Sequence, residues 1–424
     1  MQHRIVVLGA GYAGASAAGR LARRLRGEDV AITLVNAEPD FVERVRMHQL
    51  AVGQRLSPRP LAGMFAGTGV ELKLARVTGI DVEAKRVALL ATDTHGDPTD
   101  TTGTTGTTGT TEELPYDTLV YALGSGWNSH GVPGVAEHAH DVAGRPGALR
   151  LRERLAGLAA GAPVLVVGGG LTGLESAAEI AEARPDLDVT LAARGELGDW
   201  LADRGRGHLR KVFDRLGVTV REHTAVTAVG ADHVTTADGA SVPAAVTVWT
   251  TGFATHPIAR ATALEVADNG QIVVDGTMRS VSHPDVYAVG DAALAKGPGG
   301  GALRMSCASG VPTAWQAADS VAARLCGTKL PHVPLRYFNQ CVSLGRKDGL
   351  IQYVTADDRA VRAALRGRPA ALYKELVCKS AAWGVANPTF GIPTRRRPVA
   401  PRQDRTQAGA AGATDTTGTA ESAA

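Results

Sequence analysis

Short apolar runs that end on glycine recur along this chain, separated by stretches of helical spacing. Ile5 to Leu8 is four apolar residues in a row, the pattern of a parallel strand buried on both faces. Ala15 to Arg26 then places Ala18, Leu21, Ala22 and Leu25 at helical spacing, and Val30 to Val35 forms a second strand. Val70 to Leu90 alternates instead, with two strands and a turn around Asp81, which predicts an antiparallel excursion. Asp117 to Leu123 is a returning strand. The cycle restarts at Val164 to Val167, with a helix from Thr172 to about Ala183, a strand from Asp188 to Ala192 and a helical stretch from Leu201 to Leu216. Ala245 to Thr250 and Val286 to Val289 read as further strands, and Val311 to Leu325 as a further helix. This alternation predicts an α/β fold built from two Rossmann-like units.

The intervening stretches are plainer. Gly131 to Pro146 reads as a connector. Thr92 to Thr111 is dominated by TTGTTGTTGTT and has nothing apolar to bury, so a disordered loop without function is expected. From Leu330 the character changes: Tyr337 to Leu344 and Gly349 to Val354 look like sheet, followed by helical stretches, which predicts a small C-terminal α+β domain. After Arg397 the composition is that of a disordered tail.

The glycines that end the apolar runs carry the chemistry. Gly9-Ala10-Gly11-Tyr12-Ala13-Gly14 is a complete G-x-G-x-x-G between a strand and a helix. Gly9 permits the turn, Gly11 lets a pyrophosphate approach the backbone, and Gly14 lets the helix pack on its strand. Gly168, Gly170 and Gly173 repeat the arrangement after the second apolar strand. Two dinucleotide sites follow. At the end of the second strand, where an acid normally takes the adenosine ribose, the chain offers Asn36 and, two residues later, Glu38. Phe41 to Gly53 mixes Arg44, Arg46 and His48 with an apolar face, either a helix surface or a wall for a ring-bearing ligand. Gly124, Gly252 and Gly290 sit at other strand ends, where backbone can pass close to a ligand. Asp291 follows an apolar strand, where a carboxylate is costly unless a polyol or similar donor meets it.

Bulk properties narrow the partners. The net charge of +3 argues for no nucleic-acid partner, and Arg395-Arg396-Arg397 reads as a solvated terminus. The four cysteines, Cys307, Cys326, Cys341 and Cys378, form no close pair. A reducing compartment is expected, with no metal site and no sequence-local dithiol. The apolar start is explained by the glycine fingerprint rather than by a secretion signal, and no window has the ~18 apolar residues of a membrane helix. A cytoplasmic location is expected, with peripheral attachment to the inner face of the membrane as the most that Leu372, Leu376 and Trp383 support; a homodimer is compatible with the sequence.

Two fingerprints together with V-W-T-T-G and V-Y-A-V-G-D resemble the two-dinucleotide-binding-domain flavoproteins, the FAD- and NAD(P)-dependent oxidoreductases, over roughly residues 4 to 325. That resemblance implies FAD on the first glycine loop and NADH or NADPH on the second, with Asp291 on the ribityl or phosphate part of FAD. It also implies that the nicotinamide domain is inserted in the flavin domain. The expected division is 1–145 and 253–329 for FAD, 146–252 for NAD(P)H, 330–397 for the C-terminal domain and 398–424 for the tail. Glu175 is similar to the family glutamate near the nicotinamide ribose and flavin edge, and is the candidate catalytic residue.

Within this superfamily Val311-Pro312-Thr313-Ala314 and Ser343-Leu344-Gly345-Arg346 resemble the type II NADH dehydrogenases, which pass electrons from NADH through FAD to a quinone. At the two positions where that group carries glutamines of the quinone pocket, this chain has Trp315 and Asp319, the candidate substrate-binding residues. The function expected is hydride transfer from NAD(P)H to flavin and onward transfer to a quinone-like acceptor. A soluble flavin oxidoreductase with a small organic, protein or oxygen acceptor, and an NAD(H)-sensing flavoprotein, stay open. A disulfide reductase is disfavoured because no cysteine lies in the first domain. In the nucleotide domain the usual acidic position is alanine, followed by Ala193, Arg194 and, after Gly195, Glu196. Arg194 would favour a 2′-phosphate, so weak discrimination between NADH and NADPH is expected, with NADH ahead.

Overall fold

The apolar strands predicted from the sequence pair side by side because each is buried on both faces; Ile5, Val7 and Leu8 are wholly inaccessible to solvent. In the computed structural model the described residues are 1–91, 111–331, 334–389, 391 and 394–401. Nearly all of the threonine–glycine repeat and the tail beyond residue 401, both expected to be disordered, lie outside the described residues.

The first sheet has seven strands, in the order Val286–Ala288, Thr118–Tyr121, His3–Leu8, Val30–Asn36, Val70–Asp81, Arg86–Ala91 and Thr111–Pro115. The first five are parallel, and the last two turn back as antiparallel strands, the excursion read from the alternation. His3–Leu8 lies where the strand order reverses, so Gly9 opens at the crevice in which α/β sheets take their ligands. The second sheet, Thr219–Arg221, Asp188–Ala192, Pro163–Val167, Val246–Trp249 and Ala139–His140, is wholly parallel and repeats that reversal around Pro163–Val167. The stretch expected to be a plain connector supplies its edge strand and a one-turn helix, Val135–His138.

Helix Tyr12–Arg24 packs against helix Cys307–Leu325 through small side chains, with Ala17, Ala18, Ala314, Ala317 and Ala318 all buried. The C-terminal domain is a three-stranded antiparallel sheet, Asn339–Ser343, Gly349–Val354 and Ala360–Arg366, with one long helix, Arg368–Ala386. Its third strand reads AVRAALR; the alanines are too small to mark a buried face, which hid it in the sequence. Asp348 ties this domain to the second one, accepting from Arg215 at 2.8 Å and sitting 2.8 Å from His208. Arg46 ties it to the first, donating to both oxygens of Glu375 at 2.9 and 3.0 Å. The C-terminal domain therefore bridges the two sheets. Among the described residues no helix is long and apolar enough to cross a membrane.

Candidate active site

Both glycine loops are forced by the same contacts. A Cβ on Gly14 would lie 1.8 Å from the Gly9 carbonyl oxygen, and one on Gly173 would lie 1.8 Å from that of Gly168. Gly9 (φ +93°) and Gly168 (φ +128°) both adopt backbone conformations that side chains rarely tolerate. Gly11 and Gly170 differ from these: nothing lies within 4 Å of where their Cβ atoms would be. The open space sits where each loop would let a pyrophosphate meet backbone amides, so both cradles fit a dinucleotide.

A cavity of about 720 Å³ runs between the loops. Gly11, Tyr12 and Ala13 wall it on one side, Leu171, Thr172 and Glu175 on another, and Lys374, Val377 and Cys378 of the last helix close it. The structure brings Gly11, Arg44, Gly124, Glu175, Gly290, Asp291 and Trp315 onto this one cavity. Asp291 is held by local chemistry: its Oδ2 accepts the Ser125 hydroxyl at 2.6 Å and lies 3.4 Å from Arg44 Nη1. The Arg44 guanidinium also sits 5.4 Å above the Phe253 ring, so the cation is set between a carboxylate and an aromatic face. Gly290 donates its amide to Thr313 Oγ1 at 3.1 Å, which fixes the turn carrying Asp291 to the helix behind it. A carboxylate and a guanidinium on the cavity, with the Ser125 hydroxyl bonded to the carboxylate, suit a polyol phosphate such as the flavin side of FAD.

The opposite wall holds a buried ionic cluster. Glu175 Oε1 accepts from Lys374 Nζ at 2.9 Å and from the Ser343 amide at 3.0 Å, while Oε2 lies 3.7 Å from His48 Nδ1. Burial opposes the charge on Glu175, but Lys374 and the Ser343 amide outweigh it and hold its carboxyl below the ordinary value. Burial likewise opposes the charge on Lys374, and Glu175 reverses that and raises the ammonium pKa. His48 is pushed down to about 4 by burial despite Glu175, so its ring is neutral near pH 7. His48 lines the cavity, and its Nε2 is buried without a hydrogen-bond partner among the described residues.

Other candidate residues fall elsewhere. Asn36 Oδ1 accepts the Ala10 amide at 2.9 Å and its Nδ2 donates to the Glu38 carbonyl at 2.7 Å, so this side chain braces the glycine loop. The Glu38 side chain is exposed beside it. Asp319 is not on the cavity: Arg20 and Arg24 grip its carboxylate at 2.7 to 3.3 Å. Those arginines hold its carboxyl below the usual range although burial raises it. Gly252 (φ +149°) has His130 Nε2 3.2 Å from where its Cβ would be, while the neighbouring Phe253 reaches the cavity. Arg194 is exposed just past the strand Asp188–Ala192, and Glu196 is paired with Arg206 at 3.0 Å.

Sequence reasoning missed Lys374 and the convergence of cysteines. Cys307, Cys341 and Cys378 all line the cavity although they lie far apart in the chain. Burial pushes the thiols of Cys307 and Cys378 up and that of Cys341 to about 11, against the pull of Lys374. They are neutral thiols near pH 7. No spacing rule could have paired residues carried by three separate elements.

Two dinucleotide cradles opening on one cavity define a pyridine-nucleotide flavin oxidoreductase. Residues 3–322 match the pyridine nucleotide-disulphide oxidoreductase family, and the chain belongs to it. A NADH dehydrogenase-like protein from Mycobacterium tuberculosis is 29% identical over 400 residues, covering 88% of this chain and 92% of the relative. The type II NADH:quinone oxidoreductase Ndh of the same organism is 25% identical over 384 residues, covering 80% of this chain and 76% of the relative. Among solved structures, the sulfide:quinone oxidoreductase of Aquifex aeolicus shares the fold with a TM-score of 0.73 at 19% identity, covering 93% of this chain and 96% of that one. The chain is a NADH dehydrogenase-like FAD oxidoreductase.

Proposed function

We propose that this protein oxidises NADH through FAD and passes the electrons to a quinone-like acceptor in the same cavity. The observation that supports the reading is one cavity lined by Gly11, Asp291, Leu171 and Lys374, so that the first glycine loop and the start of the helix after the second border the same space. The first loop, Gly9, Gly11 and Gly14, with Asp291, Ser125 and Arg44, would hold FAD; the second, Gly168, Gly170 and Gly173, would hold the nicotinamide nucleotide. When bound, FAD supplies two-electron transfer between nicotinamide and acceptor. The chain's own part is orientation and electrostatics. Glu175, neutralised by Lys374, stands on the wall between the nucleotide loop and the C-terminal helix, with neutral His48 on the wall beside it. Trp315 replaces a polar group with an indole at the acceptor wall, which favours a flat ring. The quinone reading draws on the relatives' names, and the exposed Leu372, Leu376 and Trp383 of the last helix support peripheral contact with a membrane surface that supplies such an acceptor.

Arg194 supports tolerance of NADPH, since it is exposed just past the second strand of the nucleotide domain, while Glu196 is paired with Arg206. The test is anaerobic reduction of purified holoprotein by NADH and by NADPH, followed by reoxidation with a panel of quinones. Bleaching of the flavin by NADH and its return with menadione are expected. A flavin reduced by NADH that reoxidises with oxygen or a protein carrier but with none of the quinones would sink the acceptor reading.

A further inference from the structure

Residues 394–400 run as a strap across the ends of two helices. The Thr394 hydroxyl donates to the Arg23 carbonyl at 3.0 Å and the Arg397 amide to that of Arg24 at 2.9 Å, both in the last turn of helix Tyr12–Arg24. The Ala400 amide donates to the Leu325 carbonyl at 2.8 Å, at the end of helix Cys307–Leu325. Arg397 pairs with Leu25 in a parallel bridge, and the Val399 amide donates to Asp29 Oδ2 at 3.0 Å. The strap thus supplies donors to carbonyls that a helix end leaves unsatisfied. The arginine triplet that reads as a solvated terminus in the sequence is fixed in place by its backbone.

That pinning gathers like charges. Arg24, Arg26, Arg395, Arg396 and Arg397 line one open cleft of about 590 Å³, and no carboxylate lines it. Arg24 is held by Asp319 and Arg26 lies 3.4 Å from exposed Glu28, while Arg395 and Arg396 have no ion pair among the described residues. The C-terminal partial charge of each helix, roughly half an elementary charge, offsets only a fraction of five guanidiniums. None of these residues borders the central cavity, and at the rise of an α-helix the cleft lies about 20 Å along helix Tyr12–Arg24 from Gly11.

We propose that this cleft is a binding site for a multivalent phosphate anion, separate from both nucleotide cradles. Guanidinium forks match phosphate oxygens two at a time, and a run of phosphates carries enough charge to balance several of them. The lining holds no aromatic ring on which a base could stack, so the ligand is recognised by its phosphates and not as a nucleoside or a single-stranded nucleic acid. The same chemistry is offered by a free oligophosphate and by clustered headgroups of an anionic phospholipid. The site is independent of the acceptor that the flavin serves.

The test is isothermal titration calorimetry of the full-length FAD-loaded protein with tripolyphosphate, in saturating NAD⁺ so that the second cradle is filled. A parallel arm measures sedimentation of the same protein with vesicles of phosphatidylcholine, with and without phosphatidylglycerol. Two double variants are compared with wild type: Arg395→Gln with Arg396→Gln, and Arg395→Lys with Arg396→Lys. Both residues are exposed, so both variants should fold with unchanged circular dichroism melts. Wild type should bind, more weakly as salt rises; the glutamine pair should weaken binding roughly tenfold or more, and the lysine pair should keep only part of it. Heat with tripolyphosphate assigns the site to a free anion, and phosphatidylglycerol-dependent sedimentation without that heat assigns it to headgroups; either supports the site when the glutamine pair removes it. No response in either arm, or a response that the glutamine pair leaves unchanged, would overturn the proposal. So would a response that the lysine pair retains in full, the mark of charge attraction without a built site.

Discussion

The two nucleotide loops share a backbone but not a setting. Gly14 and Gly173 are pressed against the carbonyls of Gly9 and Gly168 at the same distance, and Gly11 and Gly170 face the same open space. Around the first loop the chain closes tightly: Asn36 ties the loop to its second strand, and Asp291, Ser125 and Arg44 converge from three other segments. Around the second, the chain just past the strand Asp188–Ala192 carries exposed Arg194 and a glutamate paired with Arg206. A fingerprint sets local backbone geometry, and neighbours decide how firmly a ligand is gripped. The first setting suits a resident cofactor and the second an exchanging one.

The sharpest way to break this comparison is to fill the glycines. Gly14→Val should prevent a folded flavoprotein, since its Cβ would meet backbone that cannot move, at a cost above about 4 kcal/mol. Gly11→Val meets open space, so the protein should fold but retain no FAD. Gly170→Val should fold, keep FAD and lose flavin reduction by NADH by roughly a hundredfold or more. Flavin content, circular dichroism melts and stopped-flow reduction separate these outcomes. If Gly170→Val empties FAD as completely as Gly11→Val, the two settings are not independent.

A smaller effect is expected at the wall the two regions share. Lys374→Met strips the partner from buried Glu175 and should destabilise the protein by about 3–5 kcal/mol in urea unfolding. Adding Glu175→Gln should recover part of that loss, because the uncompensated charge is gone. A double variant no more stable than Lys374→Met would show that the pair does not act as a unit.

The smallest effect tests the openness of the second setting. Arg194→Ala should shift the ratio of flavin-reduction efficiencies for NADPH and NADH by about tenfold or less, toward NADH. An unchanged ratio, or wild type that excludes NADPH by more than about a thousandfold, removes Arg194 from nucleotide selection.

What the sequence determined by itself was local. The apolar runs and the glycines that end them fix strand, turn and helix within a few residues, because the steric demand of Gly9 and Gly14 is met by their own neighbours. Two sheets, two cradles and Asp291 at a strand end were legible for that reason. The tertiary structure alone decided which side chains face one another. Asp319 reads as an acceptor-site residue from its offset in the helix, yet Arg20 and Arg24, nearly three hundred residues away, claim its carboxylate. Lys374 carries no motif, and it becomes the partner of Glu175 only because the C-terminal helix folds across both domains. Burial and charge pairing are properties of three-dimensional neighbourhoods, and the chain brings these partners together only when its domains pack.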